Sequence, residues 1–118
     1  MSITADLIRG HTDTIILAAL MNGEGYGYRI NRRIYRLTSG RYELKEATLY
    51  TAFKRLESIG CIRSYWGDEA SGARRRYYSI TDYGKEEYSK LMAEWQEAKE
   101  LIDSLTASSN YIDDERMI

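Results

Sequence analysis

Three features of the chain predict an α+β fold, mainly α. Apolar residues recur at three- and four-residue steps through its first sixty positions. Two short runs, IRSYW (62–66) and RRYYSI (75–80), replace that rhythm with aromatic and β-branched residues. A long helical pattern, TDYGKEEYSKLMAEWQEAKELIDSLT, follows them. There is no Pro, no internal repeat and no low-complexity linker, so 118 residues are expected to build one domain with one modest core.

The elements follow in order. Ile3 to Met21 is predicted as the first helix, with the apolar run IILAALM near its end, and NGEG (22–25) breaks it. Tyr26 to Leu37 is predicted as the second, with Ile30, Ile34 and Leu37 on one side and Arg29, Arg32, Arg33 and Arg36 around the other. The stretch TSGRYELKE connects, and Ser39-Gly40 is its turn signal. Glu46 to Ile59 is predicted as the third helix, with Leu49, Ala52, Phe53, Leu56 and Ile59 on its apolar face. Gly60 ends it. The two β-prone runs are joined by GDEASGAR, which predicts a β-hairpin with a long tip. Thr81 reads as the N-cap of the last helix, and the end of the chain, ASSNYIDDERMI, is expected to be frayed.

Three helices followed by a hairpin is the plan of a winged helix-turn-helix domain. In that plan the third helix lies in the DNA major groove and the hairpin, the wing, lies along the neighbouring backbone. The predicted organisation is a winged helix-turn-helix over 1–80, a C-terminal dimerisation helix over 81–107 and a flexible tail over 108–118.

The charge distribution agrees with this plan. The net charge is −1, but residues 1–80 hold 13 Lys and Arg against 8 Asp and Glu, and residues 81–118 hold 4 against 10. One part of the molecule can therefore attract phosphate while the other stays acidic. On the third helix, Thr48, Tyr50, Thr51, Lys54 and Arg55 combine hydroxyls with cations, a mixture suited to phosphate and base contacts. In the wing, Arg74, Arg75 and Arg76 stand beside the Gly-containing tip and are expected to bind flanking phosphates. Strand alternation puts Arg74 and Arg76 on one side and Arg75 on the other.

The last helix carries a seam of Tyr88, Leu91, Trp95, Ala98, Ile102 and Leu105 at alternating three- and four-residue steps. One winged helix has little core left for so long a helix, so a homodimer is expected, with Ile3 and Leu7 of the first helix packing beside the seam. Trp95 is large and sits among smaller residues. It reads either as a packed interface side chain or as the wall of an intersubunit cavity that takes a flat aromatic molecule.

Other chemistry finds little support in the sequence. His11 is the only histidine and Cys61 the only cysteine, so no metal cluster, disulfide or Cys-His catalytic pair is signalled. GEGYG (23–27) is not a phosphate loop, since Tyr28 stands where G-x-G-x-x-G needs Gly and a helix precedes it. No enzymatic activity and no cofactor are expected. No apolar run approaches a membrane span, and the first residues lack a signal-peptide pattern. A cytoplasmic location and a buried structural Cys61 are expected.

Three segments, GYGYRI (25–30), ATLYTAFKRLESIGCI (47–62) and SYWGDEASGARRRYYSITDYG (64–84), resemble the PadR family of transcriptional regulators. The elements T-L-Y, R-L-E, G-x-I and R-R-Y-Y-x-I-T-x-x-G occur in that family's order and spacing, and the likeness covers roughly residues 5 to 105. The single C-terminal helix is similar to the smaller subfamily, which includes multidrug-binding repressors. The resemblance implies a homodimeric repressor on a palindromic operator. It further implies a central pore where a planar aromatic molecule stacks on Trp95; Leu91, Glu94 and Ala98, within a turn of Trp95 on the same helix, are expected to line the ligand site with it. Lys99 stands where an acidic residue would favour a cationic ligand. The rival expectation is a winged-helix module that binds a partner protein through its exposed aromatics, without specific DNA binding.

Overall fold

A computed structural model of the chain describes residues 3–67 and 74–108. The elements are α1 (Ile3–Arg9), α2 (Thr12–Leu20), β1 (Gly25–Tyr26), α3 (Gly27–Leu37), α4 (Glu46–Ser58), β2 (Ile62–Trp66), β3 (Arg76–Ile80) and α5 (Asp82–Thr106). One compact unit reaches Tyr88 and a second begins at Ser89. The expected hairpin tip, from Asp68 to Ala73, and the expected frayed end beyond Ser108 lie outside the described residues.

The architecture is the expected one, mainly helical with a small antiparallel sheet and a long last helix. Two elements differ from expectation. The first helix is two helices, because Gly10 and His11 interrupt it. Gly is a poor helix interior residue, and the Thr12 hydroxyl bonds back to the Arg9 carbonyl at 2.6 Å. The hairpin is part of a three-stranded sheet in the order β1-β3-β2. Gly25 and Tyr26 pair with Tyr78 and Tyr77 of β3, so Tyr26 is a strand residue and α3 starts one residue later. A two-residue strand is too short to show an alternating pattern. Leu37 and Ile59 also leave their predicted apolar faces and stand 69% and 53% exposed.

The core of the first unit joins Ile16, Leu17 and Leu20 of α2, Ile30 and Ile34 of α3, and Leu49, Ala52, Phe53 and Leu56 of α4. Ile62 of β2 and Tyr78 of β3 close it. The Phe53 and Tyr78 rings stack at 3.9 Å between centroids, which ties α4 to β3. Asn31 does the same for the turn between α3 and α4. Its amide accepts the Leu44 N–H at 2.8 Å and donates to the Leu44 carbonyl at 2.6 Å. Within that turn Ser39 and Gly40 adopt positive φ.

Helix α4 ends in a Schellman motif. Gly60 has φ +85°, its N–H bonds to Glu57, and the Cys61 N–H reaches Leu56. Cys61 is buried, as expected, and burial pushes its thiol pKa up. Thr81 caps α5 by accepting the Gly84 N–H at 3.0 Å, while its own hydroxyl donates to the Gly60 carbonyl at 2.6 Å. Gly84 lies so close to the Cys61 carbonyl that a Cβ there would collide with it. In the second unit α5 continues with Trp95, Leu101, Ile102 and Leu105 exposed by 39% to 63%.

Candidate nucleic-acid interface

The burial of Leu49, Phe53 and Leu56 decides which face of α4 meets solvent. With roughly 100° per residue, that face runs in the order Tyr50, Lys54, Ala47, Thr51, Arg55, Thr48. Its centre is Lys54, Ala47 and Thr51, all exposed. Lys54 makes no hydrogen bond or ion pair among the described residues, so its ammonium is available to an external anion.

The flanks of this face are two different clefts. On one side Thr48, Thr51 and Arg55 line a cleft of about 360 Å³ with Arg9 and Thr12. Arg55 is held there by Asp13 of α2: its Nε–H donates at 3.4 Å, and a second, shorter bond runs from its terminal nitrogen. That bond raises the Arg55 pKa, so the guanidinium stays protonated with a carboxylate beside its charge. Arg9, in turn, is bonded to Asp6.

On the other side Tyr50 faces the wing across a cleft of about 580 Å³, lined also by Tyr28, Trp66 and Arg74 to Arg76. Tyr50 packs edge-on to Phe53 with a 5.7 Å centroid separation and is 45% exposed, so its ring is anchored while one edge stays open. Gly27 makes room for it, since a Cβ there would lie 2.7 Å from the Tyr50 hydroxyl.

The three wing arginines have three different settings. Arg74 lies over the Trp66 ring at 5.4 Å and Arg75 over the Tyr26 ring at 4.7 Å. Arg76 turns toward the protein. It donates to Ser64 Oγ at 2.8 and 3.0 Å and to Glu57 at 3.3 Å, and Ser64 donates to Glu57. This triad fastens β2 and β3 to α4. The alternation expected for the arginines is seen, with Arg74 and Arg76 beside Trp66 and Arg75 on the other side.

Sequence reasoning missed Ala47, Arg9, Asn31 and Gly27. Ala47 and Gly27 lack the functional groups that draw attention, and Asn31 acts on a residue 13 positions away. On the outer face of the sheet, Tyr26, Tyr77 and Tyr65 stand side by side across three strands, with ring centroids 5.4 and 5.5 Å apart. The Tyr65 hydroxyl donates to Glu24 at 2.6 Å, which raises the Tyr65 pKa.

The expected ligand residues and the α5 dimer residues sit in the second unit or at its border. The Lys99 ammonium lies 5.7 Å from the centre of the Trp95 ring. Leu91 and Ala98 are half-buried and Glu94 is exposed. At the other end of the chain Ile3 and Leu7 are 80% and 68% exposed. Among the described residues no group of three or more His, Cys, Asp or Glu could hold a metal, and no helix is long and apolar enough to cross a membrane.

Comparison with known proteins shows the family of the chain and its fold. The model of the PadR-like transcriptional regulator family matches residues 16–90. An uncharacterised protein of Lysinibacillus sphaericus is 46% identical over 101 residues, 86% of this chain and 93% of that one. The structure of a transcriptional regulator from Clostridium thermocellum superposes with a TM-score of 0.81 at 44% identity, covering 90% of this chain and all of the other. A PadR family transcription regulator from Clostridium difficile gives 0.72 at 33%, covering 82% and 99%.

Proposed function

Because this chain belongs to the PadR-like family of transcriptional regulators and is a DNA-binding regulator, we propose that it acts as a homodimeric repressor on a palindromic operator. The observation that carries the reading is the exposed face of α4. Its hydroxyls and cations are bare at the crest and flanked by the wing arginines. Lys54, Thr51 and Ala47 read base edges in the major groove, where a small methyl suits the thymine methyl group. Thr48, Tyr50 and Arg55 position the helix on the backbone. Arg74 and Arg75 grip flanking phosphates, and Arg76 holds the wing against α4.

The dimer is built on α5. Ile102 and Leu105 are 57% and 63% exposed, and burying what remains of each in a partner is worth about 1–2 kcal/mol. Tyr88, Leu91, Trp95 and Ala98 continue the seam, and Ile3 and Leu7 of α1 pack beside it. Two copies then present two α4 helices to two half-sites. A planar aromatic molecule that stacks on Trp95 between Leu91, Glu94 and Ala98 shifts the pair of helices, and so the half-site spacing. Lys99 already covers one Trp95 face, which disfavours a cation there. The regulator works in the cytoplasm.

Selection from a random duplex library tests the central point. An inverted-repeat motif, enriched by the protein and bound by a dimer in sedimentation, is the expected result. A pool that stays unenriched contradicts specific recognition and moves the fold toward a protein-interaction module.

A further inference from the structure

Helix α3 carries a feature that reading by α4 and the wing leaves unused. At roughly 100° per residue, Arg29, Arg32, Arg33 and Arg36 fall within an arc of about 100° over two turns. The helix, GYRINRRIYRL, contains no Asp or Glu. Its buried edge, Ile30 and Ile34, is centred about 130° from the middle of that arc; Arg33, the arginine nearest it, is half-buried, and Arg29, Arg32 and Arg36 are exposed. Among the described residues, none of the four forms an ion pair. Two of them rest on aromatic rings instead: Arg29 on Tyr26 at 5.0 Å and Arg32 on Tyr35 at 5.9 Å. Glu24 lines a small cleft with Arg29 and Arg33, but its carboxylate accepts the Tyr65 hydroxyl.

Such a stripe works against the helix. Like charges three and four residues apart repel, and Arg29 lies in the first turn, where the helix dipole disfavours a cation. A cationic face that opposes folding and forms no ion pair among the described residues is suited to an external anion.

Its place in the fold narrows the choice of anion. Arg29 of α3 and Arg75 of the wing sit on the same Tyr26 ring, at 5.0 and 4.7 Å. The stripe therefore continues the wing's cations rather than forming a separate island. From Arg29 to Arg36 the axis advances about 10 Å, the length of about three base pairs.

We propose that the arginine face of α3 is a second phosphate track, which holds the duplex DNA flanking the site read by α4. The proposal rests on the DNA reading above and extends it from the half-site to its surroundings. The track contacts backbone alone, so it adds affinity and salt dependence without sequence preference.

The test uses the triple variant Arg32→Gln, Arg33→Gln and Arg36→Gln in the full chain. Gln keeps helix propensity, and removing mutual repulsion leaves thermal stability equal or higher. Two duplexes are compared, a selected site of about two helical turns and the same site with about ten further base pairs on each side. The wild-type protein is expected to bind the longer duplex about 10-fold more tightly, with a steeper salt slope. The variant is expected to match the wild type on the short duplex and to gain nothing from the flanks, its slope falling by up to about 2.7 on the long one. If variant and wild type gain equally from the flanks, or neither gains, the track is overturned and an acidic protein becomes the better partner for this face. If the wild type binds neither duplex, the DNA reading itself falls and takes the track with it.

Discussion

Helix α4 buries Leu49, Ala52, Phe53 and Leu56 to 2% exposure or less, whereas Ile102 and Leu105 of α5 remain 57% and 63% exposed. Both helices carry apolar residues at three- and four-residue steps over a charged or polar remainder. The pattern states that a face has to be covered and is silent about what covers it. For α4 the cover is α2, β2 and the Tyr78 ring, all within the first unit. For the far part of α5 the described residues of the second unit supply none. The same code thus serves folding in one helix and, in the reading proposed here, assembly in the other.

Mutations separate the two uses. The largest effect is expected at Phe53, whose replacement by Ala removes the ring stacked on Tyr78 and costs about 3–5 kcal/mol in denaturant unfolding. Gly84→Ala comes next, at about 1–3 kcal/mol, because the new methyl meets the Cys61 carbonyl, a backbone atom that cannot swing aside. On α5, Leu105→Asp is expected to leave the first unit's stability within about 0.5 kcal/mol of wild type and to abolish the dimer in sedimentation. If that variant unfolds the chain or leaves a dimer intact, the contrast between the helices is wrong.

The smallest effect is one of pH. Burial raises the Tyr78 phenol pKa above its ordinary value near 10. A raised folded pKa means the neutral ring's contribution is complete below about pH 10 and is lost as pH climbs through the folded value. Stability is expected to fall above pH 10 in the wild type and less steeply in Tyr78→Phe, as read by circular dichroism melts across that range.

Much of this was legible in the sequence because it is local. The α4 face, the Gly60 stop, the Thr81 cap and the alternation of the wing arginines all follow from neighbours within a few residues. What the chain did not announce depends on distant partners. Arg55 meets Asp13 across 42 positions and Arg76 meets Glu57 across 19, so two of the predicted DNA cations turn out to be tied to carboxylates. The two-residue β1 exists because β3 is there to pair with it. The break at Gly10 was visible as a glycine, but the apolar run after it suggested one continuous helix.

The most direct measurement is the salt dependence of duplex DNA binding by wild type and by Lys54→Ala combined with Arg75→Ala. The account predicts that log K of the wild type falls steeply and linearly with log salt. The double variant is expected to bind more weakly, losing a base contact with Lys54 and, with Arg75, one phosphate contact that lowers the slope by about 0.9. An unchanged slope and affinity in the double variant, or no DNA binding by the wild type at low salt, would contradict the assignment of the α4 face and the wing as the nucleic-acid interface.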